Sequence, residues 1–229
     1  MQPNLQTAYS ATLGDARQKV LRNTYALLGL SLIPTVIGAL IGTNLSFMFL
    51  RTSPIMGMLL MLAGLYGLMF AIEKNRYSPV GAYLMFAFTF LMGILLGPLL
   101  QVALRLQNGP GLIMVAGGAT SLIFLVMATI GATTKRDLSG VGSFLSAGFI
   151  VLMVAMIANI FLRIPMFQLV IAAGFALFSA LIIMYQVKQV VAGGETSYIS
   201  AALTIYVSIY NLFTSLLQIL IAVSGNNRN

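Results

Sequence analysis

Long runs of uncharged, mostly apolar residues alternate with short charged interruptions along the whole chain. The uncharged runs are 23–50, 52–72, 77–104, 106–134, 138–162, 164–187 and 196–227. Each exceeds the ~20 residues a helix needs to cross a bilayer. Trimmed at Pro, Gly and Asn, they predict helices at 24–43, 54–72, 79–101, 111–132, 141–162, 166–187 and 199–223. The pattern reads as an all-α membrane protein with seven transmembrane helices and short connections. Residues 1–22 form a polar, flexible N-terminal tail, and 23–225 form the seven-helix domain.

The last run, 196–227, carries no charge and as a helix would reach about 48 Å, more than the ~30 Å bilayer core. Inside it lie Thr204, Ser208, Asn211, Ser215 and Gln218, at steps of four, three, four and three residues. That spacing puts all five on one helix face. Polar groups directed into acyl chains are costly, so this face is expected to look at protein or trapped water. The run therefore reads as the central helix of the bundle. Other polar groups at depth are Asn159 in the fifth span and Ser179 and Gln186, seven apart, in the sixth. Two roles compete for them. They hold helices together by hydrogen bonds across the bundle, each worth about 0.6–2 kcal/mol, or they line a hydrated path for a cation or proton.

Composition narrows the chemistry. The chain is 59% hydrophobic and 7% charged, against about 25% charged in a soluble domain, so its solvent is largely lipid. It has no cysteine and no histidine. That removes thiol nucleophiles, disulfides, the commonest general base and the commonest metal ligands. The net charge of +8 is spread singly or in pairs between apolar runs, the pattern of topology signals and not of a nucleic-acid surface. One side of the membrane receives Arg17, Lys19, Arg22, Lys74, Arg76, Lys135, Arg136 and Lys188; the other receives Arg51, Arg105, Arg163 and Arg228. Eight against four predicts a cytoplasmic N-terminus. The first run is too long for the core of a signal peptide and is expected to stay as a span.

Gly38 with Gly42 in the first span, and Gly93 with Gly97 in the third, form GxxxG pairs that permit close helix approach. Pro34 and Pro98 are candidate kinks. The four acids, Asp15, Glu73, Asp137 and Glu195, all read as tail or loop residues. Asp137 is a candidate cap for the fifth helix, with Ser139 as its competitor, and Glu195 sits before the last helix, where negative charge is favoured. No nucleophile–base pair, phosphate loop or metal-ligand cluster is visible, so no enzyme activity, cofactor or metal is expected.

Residues 182–213 carry a recognisable pattern. Ile182-Ile183-Met184-Tyr185-Gln186 is followed by Gly193-Gly194-Glu195-Thr196-Ser197-Tyr198-Ile199, then by Tyr206-Val207-Ser208-Ile209-Tyr210-Asn211-Leu212-Phe213. With Lys19–Tyr25, Gly64–Phe70 and Ala158–Leu162, the chain resembles the Bax inhibitor-1 (TMBIM) family, and within it a YccA-like bacterial branch. The resemblance implies a Bax inhibitor-1-like bundle whose last helix is enclosed by the other six. For that branch it also implies an inner-membrane partner of the ATP-dependent protease FtsH: a substrate taken by its N-terminal tail, and a modulator limiting degradation of other membrane proteins. Other members of the family are described as pH-sensitive Ca²⁺ leak channels with an aspartate pair. The matching positions here are Gln186 and Ser208, and Lys74 is the nearest match to a basic residue that pairs with that cluster. An amide and a hydroxyl do not titrate near neutrality as two carboxylates sharing a proton do. The resemblance therefore implies either a protease modulator in a lipid environment or a Ca²⁺ leak with lost or altered pH gating.

Overall fold

A computed structural model describes residues 3–45, 54–135 and 139–226. Among these are seven helices: α1 Pro3–Asn44, α2 Pro54–Lys74, α3 Pro79–Leu104, α4 Gly109–Thr133, α5 Ser139–Leu162, α6 Pro165–Ala192 and α7 Tyr198–Asn226. Six of them, all but α2, contain a stretch long and apolar enough to cross a membrane. In α2, 21 residues long, Glu73 and Lys74 at its end are the only charges. Large apolar side chains such as Leu40, Leu60, Phe70, Leu122 and Phe161 stand exposed around the bundle. A surface of that kind needs lipid or another protein against it.

The helix ends are set by local chemistry. Proline opens α3 and α6 at a position where its missing N–H is no loss. Ser78 caps α3, its hydroxyl accepting from Val80 N at 3.3 Å. At the far end of α6, Gly193 adopts φ 84°, a left-handed conformation that closes the helix. The N–H groups of Gly194 and Glu195 both return to the Gln189 carbonyl, at 2.8 and 3.2 Å. The Glu195 carboxylate then accepts from Ser197 N at 2.8 Å. Ser197 caps α7 by accepting from Ser200 N at 3.2 Å, and donates to the Arg76 carbonyl at 2.7 Å. This one hydroxyl thus caps a helix and ties α7 to the α2–α3 turn. Ser197→Ala is expected to cost about 1–2 kcal/mol, read as a lower melting temperature in mild detergent.

α1 and α3 form the most extensive pair in the bundle. The two GxxxG motifs face each other there: Gly38 and Gly42 lie on the backbone of Phe90 and Ile94, and Gly93 and Gly97 on that of Thr35 and Gly42. Pro34 and Pro98 lie within these helices without ending them. Gln101 of α3 closes the far end of α1, its amide donating to the carbonyls of Gly42, Thr43 and Leu45 at 3.0–3.3 Å.

The last helix packs against α1, α2, α3, α4 and α6. Enclosure by all six was expected, but among the described residues α5 packs on α6 alone and leaves a cleft beside α7. The core around α7 is sealed by Tyr206, which is buried and edge-on to Phe88 with ring centroids 6.1 Å apart. Its hydroxyl pairs with Thr35 of α1 at 2.7 Å and reaches the Thr89 carbonyl of α3 at 3.4 Å.

The N-terminal segment differs from its sequence reading. Residues 1–22 read as a flexible tail, yet α1 is helical from Pro3. Arg17 lies against Gly193 at the α6–α7 connection, where an added Cβ would stand 2.8 Å from its guanidinium Nε. Asp137 and the side chain of Ser139, the two candidate caps of α5, lie outside the described residues.

Candidate functional site

The polar face of α7 turns toward the cleft left by α5. All five stripe residues are buried or half-buried, with Ser208 and Ser215 only 3% and 4% exposed. Thr204, Ser208 and Asn211 line a cavity of about 780 Å³ between α2, α5, α6 and α7. Gln186 of α6 lines the same cavity, so the two positions that the resemblance matches to an aspartate pair share one cavity. Apolar walls come from Met69, Phe149, Phe178, Ile182 and Val207.

Of the two competing roles, hydrogen bonding across the bundle has no example in the stripe itself. Ser208 donates to the Thr204 carbonyl of its own helix at 2.8 Å. Among the described residues, no stripe side chain bonds to a neighbouring helix. Helix-to-helix hydrogen bonds lie elsewhere, among them Tyr206–Thr35, Thr24 to the Tyr198 carbonyl, Gln101 and Ser200–Glu73. Asn159 has a local role: its side-chain oxygen accepts from Ile164 N at 3.2 Å and its carbonyl from Arg163 N at 2.8 Å, which closes the α5–α6 turn. There Arg163 is held at φ 52°.

Sequence reasoning missed Glu73. It was read as a loop acid, but α2 runs on to Lys74, and Glu73 sits in the last turn with its side chain lining the cavity. Ser200 of α7 donates to Glu73 Oε1 at 2.7 Å, and Arg76 Nη1 lies 3.8 Å from Oε2. Both side chains of that ion pair are 40% exposed, so it adds little stability. Met69 and Glu73, four apart and both on the cavity, were the available signal. Lys74, the suggested basic partner, is exposed and does not line the cavity; Arg76 is the base beside the acid. One carboxylate therefore shares the cavity with Gln186 and Ser208.

This is a multi-spanning membrane bundle with a polar-faced inner helix and an amphipathic cleft beside it. The family model described as inhibitor of apoptosis-promoting Bax1 matches residues 17–226. The chain belongs to that family, the Bax inhibitor-1 family. It is 46% identical over 214 residues to an uncharacterised protein of Neisseria meningitidis, covering 93% of this chain and 94% of that one. It is 43% identical over 202 residues to an Escherichia coli K12 protein named modulator of FtsH protease YccA, covering 88% and 89%. At the same identity, the counterpart in E. coli O6:H1 is named inner membrane protein YccA.

Proposed function

We propose that this chain is an inner-membrane modulator, and itself a substrate, of a membrane-anchored ATP-dependent protease of the FtsH type, and that it limits the degradation of other membrane proteins. The observation that carries this reading is the 43% identity, along almost the whole of both chains, to the relative named as a modulator of that protease. The chain crosses the membrane seven times, α2 included, with its N-terminus in the cytoplasm, and does no covalent chemistry. The cavity beside α7 is lined by two amides, several hydroxyls and one carboxylate. Co-purification in mild detergent with a protease of this type, and slower turnover of its membrane substrates when the chain is overproduced, are the expected results. No association and unchanged turnover would reject the proposal.

The N-terminal part of α1 is the proposed handle. Residues 14–19 are exposed, and Pro3, Asn4, Thr7, Ser10, Thr12 and Gly14 are weak helix formers, so this stretch opens at little cost. Deleting residues 1–13 is expected to lengthen the half-life of the chain several-fold in a protease-bearing strain, as read by pulse-chase, while leaving the complex intact.

A second reading, a cation leak, is favoured by the cavity that joins Glu73 to Gln186 and Ser208. In this reading the carboxylate stands at the cavity mouth and the neutral stripe continues inward.

A further inference from the structure

Two cavities each take two or more residues of the stripe on α7; a third, walled by Leu99, Val102 and Met166, meets it only at Gln218. Beyond Asn211, Ser215 and Gln218 line a second one of about 500 Å³, whose other walls include Met156 and Asn159 of α5 and Ala172 of α6. The first cavity reaches Glu73 at one end of the bundle, and the second reaches Arg163 at the other. Only Phe175, among the described residues, lines both. It follows Ile171 and Ala172 and precedes Phe178 and Ile182 at helical spacing, so one face of α6 walls the whole cleft.

The break between the cavities is short. Asn211 and Ser215 are four residues apart, about 6 Å along the helix axis, a gap that one aromatic side chain can close. Its surroundings are apolar. Phe149 and Phe178 stack beside it with ring centroids 6.0 Å apart. On the other flank Leu152 sits so close to Gly174 that an added Cβ would stand 2.7 Å from its methyl carbon. Each cavity also holds buried polar groups: Gln186 and Ser215 are 9% and 4% exposed, line the first and the second, and make no hydrogen bond to another described side chain. Polar groups at a roomy cavity take water as their partner, and hundreds of Å³ hold many waters at about 30 Å³ each. An apolar constriction between two wet chambers stays dry and acts as a barrier.

We propose that the two cavities are the halves of one hydrated path across the bilayer for water and small polar solutes, closed at mid-depth by Phe175. This deepens the leak reading, on whose path it rests, and requires neither Ca²⁺ nor a protease.

The chain has no cysteine, so single substitutions report cleanly. Asn211→Cys and Gln218→Cys are placed one at a time in the full-length protein, in sealed vesicles of both orientations. A membrane-impermeant cationic thiol reagent is then added outside. Each cysteine is expected to react from one side only, and the two from opposite sides. Phe175→Ala is expected to raise reaction from the far side by about tenfold or more, and Phe175→Leu to leave it unchanged. Reaction of both cysteines from the same side, or of neither from either side, overturns the proposal in the native background alone, whether or not Phe175→Ala folds. An unmoved far-side rate in a folded Phe175→Ala protein also overturns it. Ca²⁺ uptake by the same vesicles separates the two ideas: labelling as expected without Ca²⁺ flux defeats the leak reading and leaves the Phe175 barrier standing.

Discussion

Gly93→Val together with Gly97→Val is expected to leave little folded protein, with a loss above about 3 kcal/mol. The reason is what the new side chains would meet. A Cβ at Gly93 lands on the Thr35 carbonyl, and one at Gly97 lands on the backbone of Gly42, including Cα at 2.8 Å. Backbone cannot rotate away as a side chain can, so α1 and α3 must separate. In a bilayer that separation removes the main attraction between them, since lipid tails are as apolar as the helices and close packing does the work. Separation also withdraws Thr35 from Tyr206 and Gln101 from the carbonyls that end α1. Gly67→Ala and Gly117→Ala supply the control. Nothing lies within 4 Å of either added Cβ. Alanine is the better helix former by about 1 kcal/mol, so these variants are expected to match or exceed the native protein. Thermal unfolding followed by size-exclusion in mild detergent measures all of them.

Tyr206→Ala is expected to cost about 3–5 kcal/mol, the range for removing a buried aromatic ring. Tyr206 is 2% exposed and fills the space between α1, α3 and α7 against Phe88 and Tyr210. Its hydroxyl joins α7 to both other helices. Tyr206→Phe isolates that part: it keeps the ring, leaves Thr35 still donating to the Ser31 carbonyl at 2.8 Å, and is expected to cost only about 1 kcal/mol. A small loss for alanine and a large one for phenylalanine would reverse this account of what holds α7 in place.

Much of the architecture was legible because the bilayer makes it so. Charges at the interruptions and ~20-residue runs between them mark helices even when the interior pattern is featureless, and the helix ends fall within a few residues of those expected, α1's start and α6's end excepted. The polar stripe of α7 was readable for a related reason: only in a membrane are five spaced hydroxyls and amides costly enough to force a choice of side. The neighbours of each helix were not readable. Lipid-facing and protein-facing sides are both apolar, so nothing in residues 141–162 announced that α5 would pack on α6 alone. Glu73 escapes because the expected second helix stops at 72, two residues short of its end at Lys74, at the point where charge begins. The helical start of α1 escaped because its polar residues resemble a tail. Within it, Arg17 lies against Gly193, 176 residues away in sequence.

The central claim is that the polar face of α7 looks into a wet cleft within the bundle and away from acyl chains. Spin labels at Asn211 and at Leu122, an exposed apolar position on α4, test it directly in lipid vesicles. Relaxation of the Asn211 label by a water-soluble nickel complex, with oxygen relaxing the Leu122 label, is the predicted result. An Asn211 label that oxygen relaxes as strongly as Leu122, and that the nickel complex leaves untouched, would contradict it.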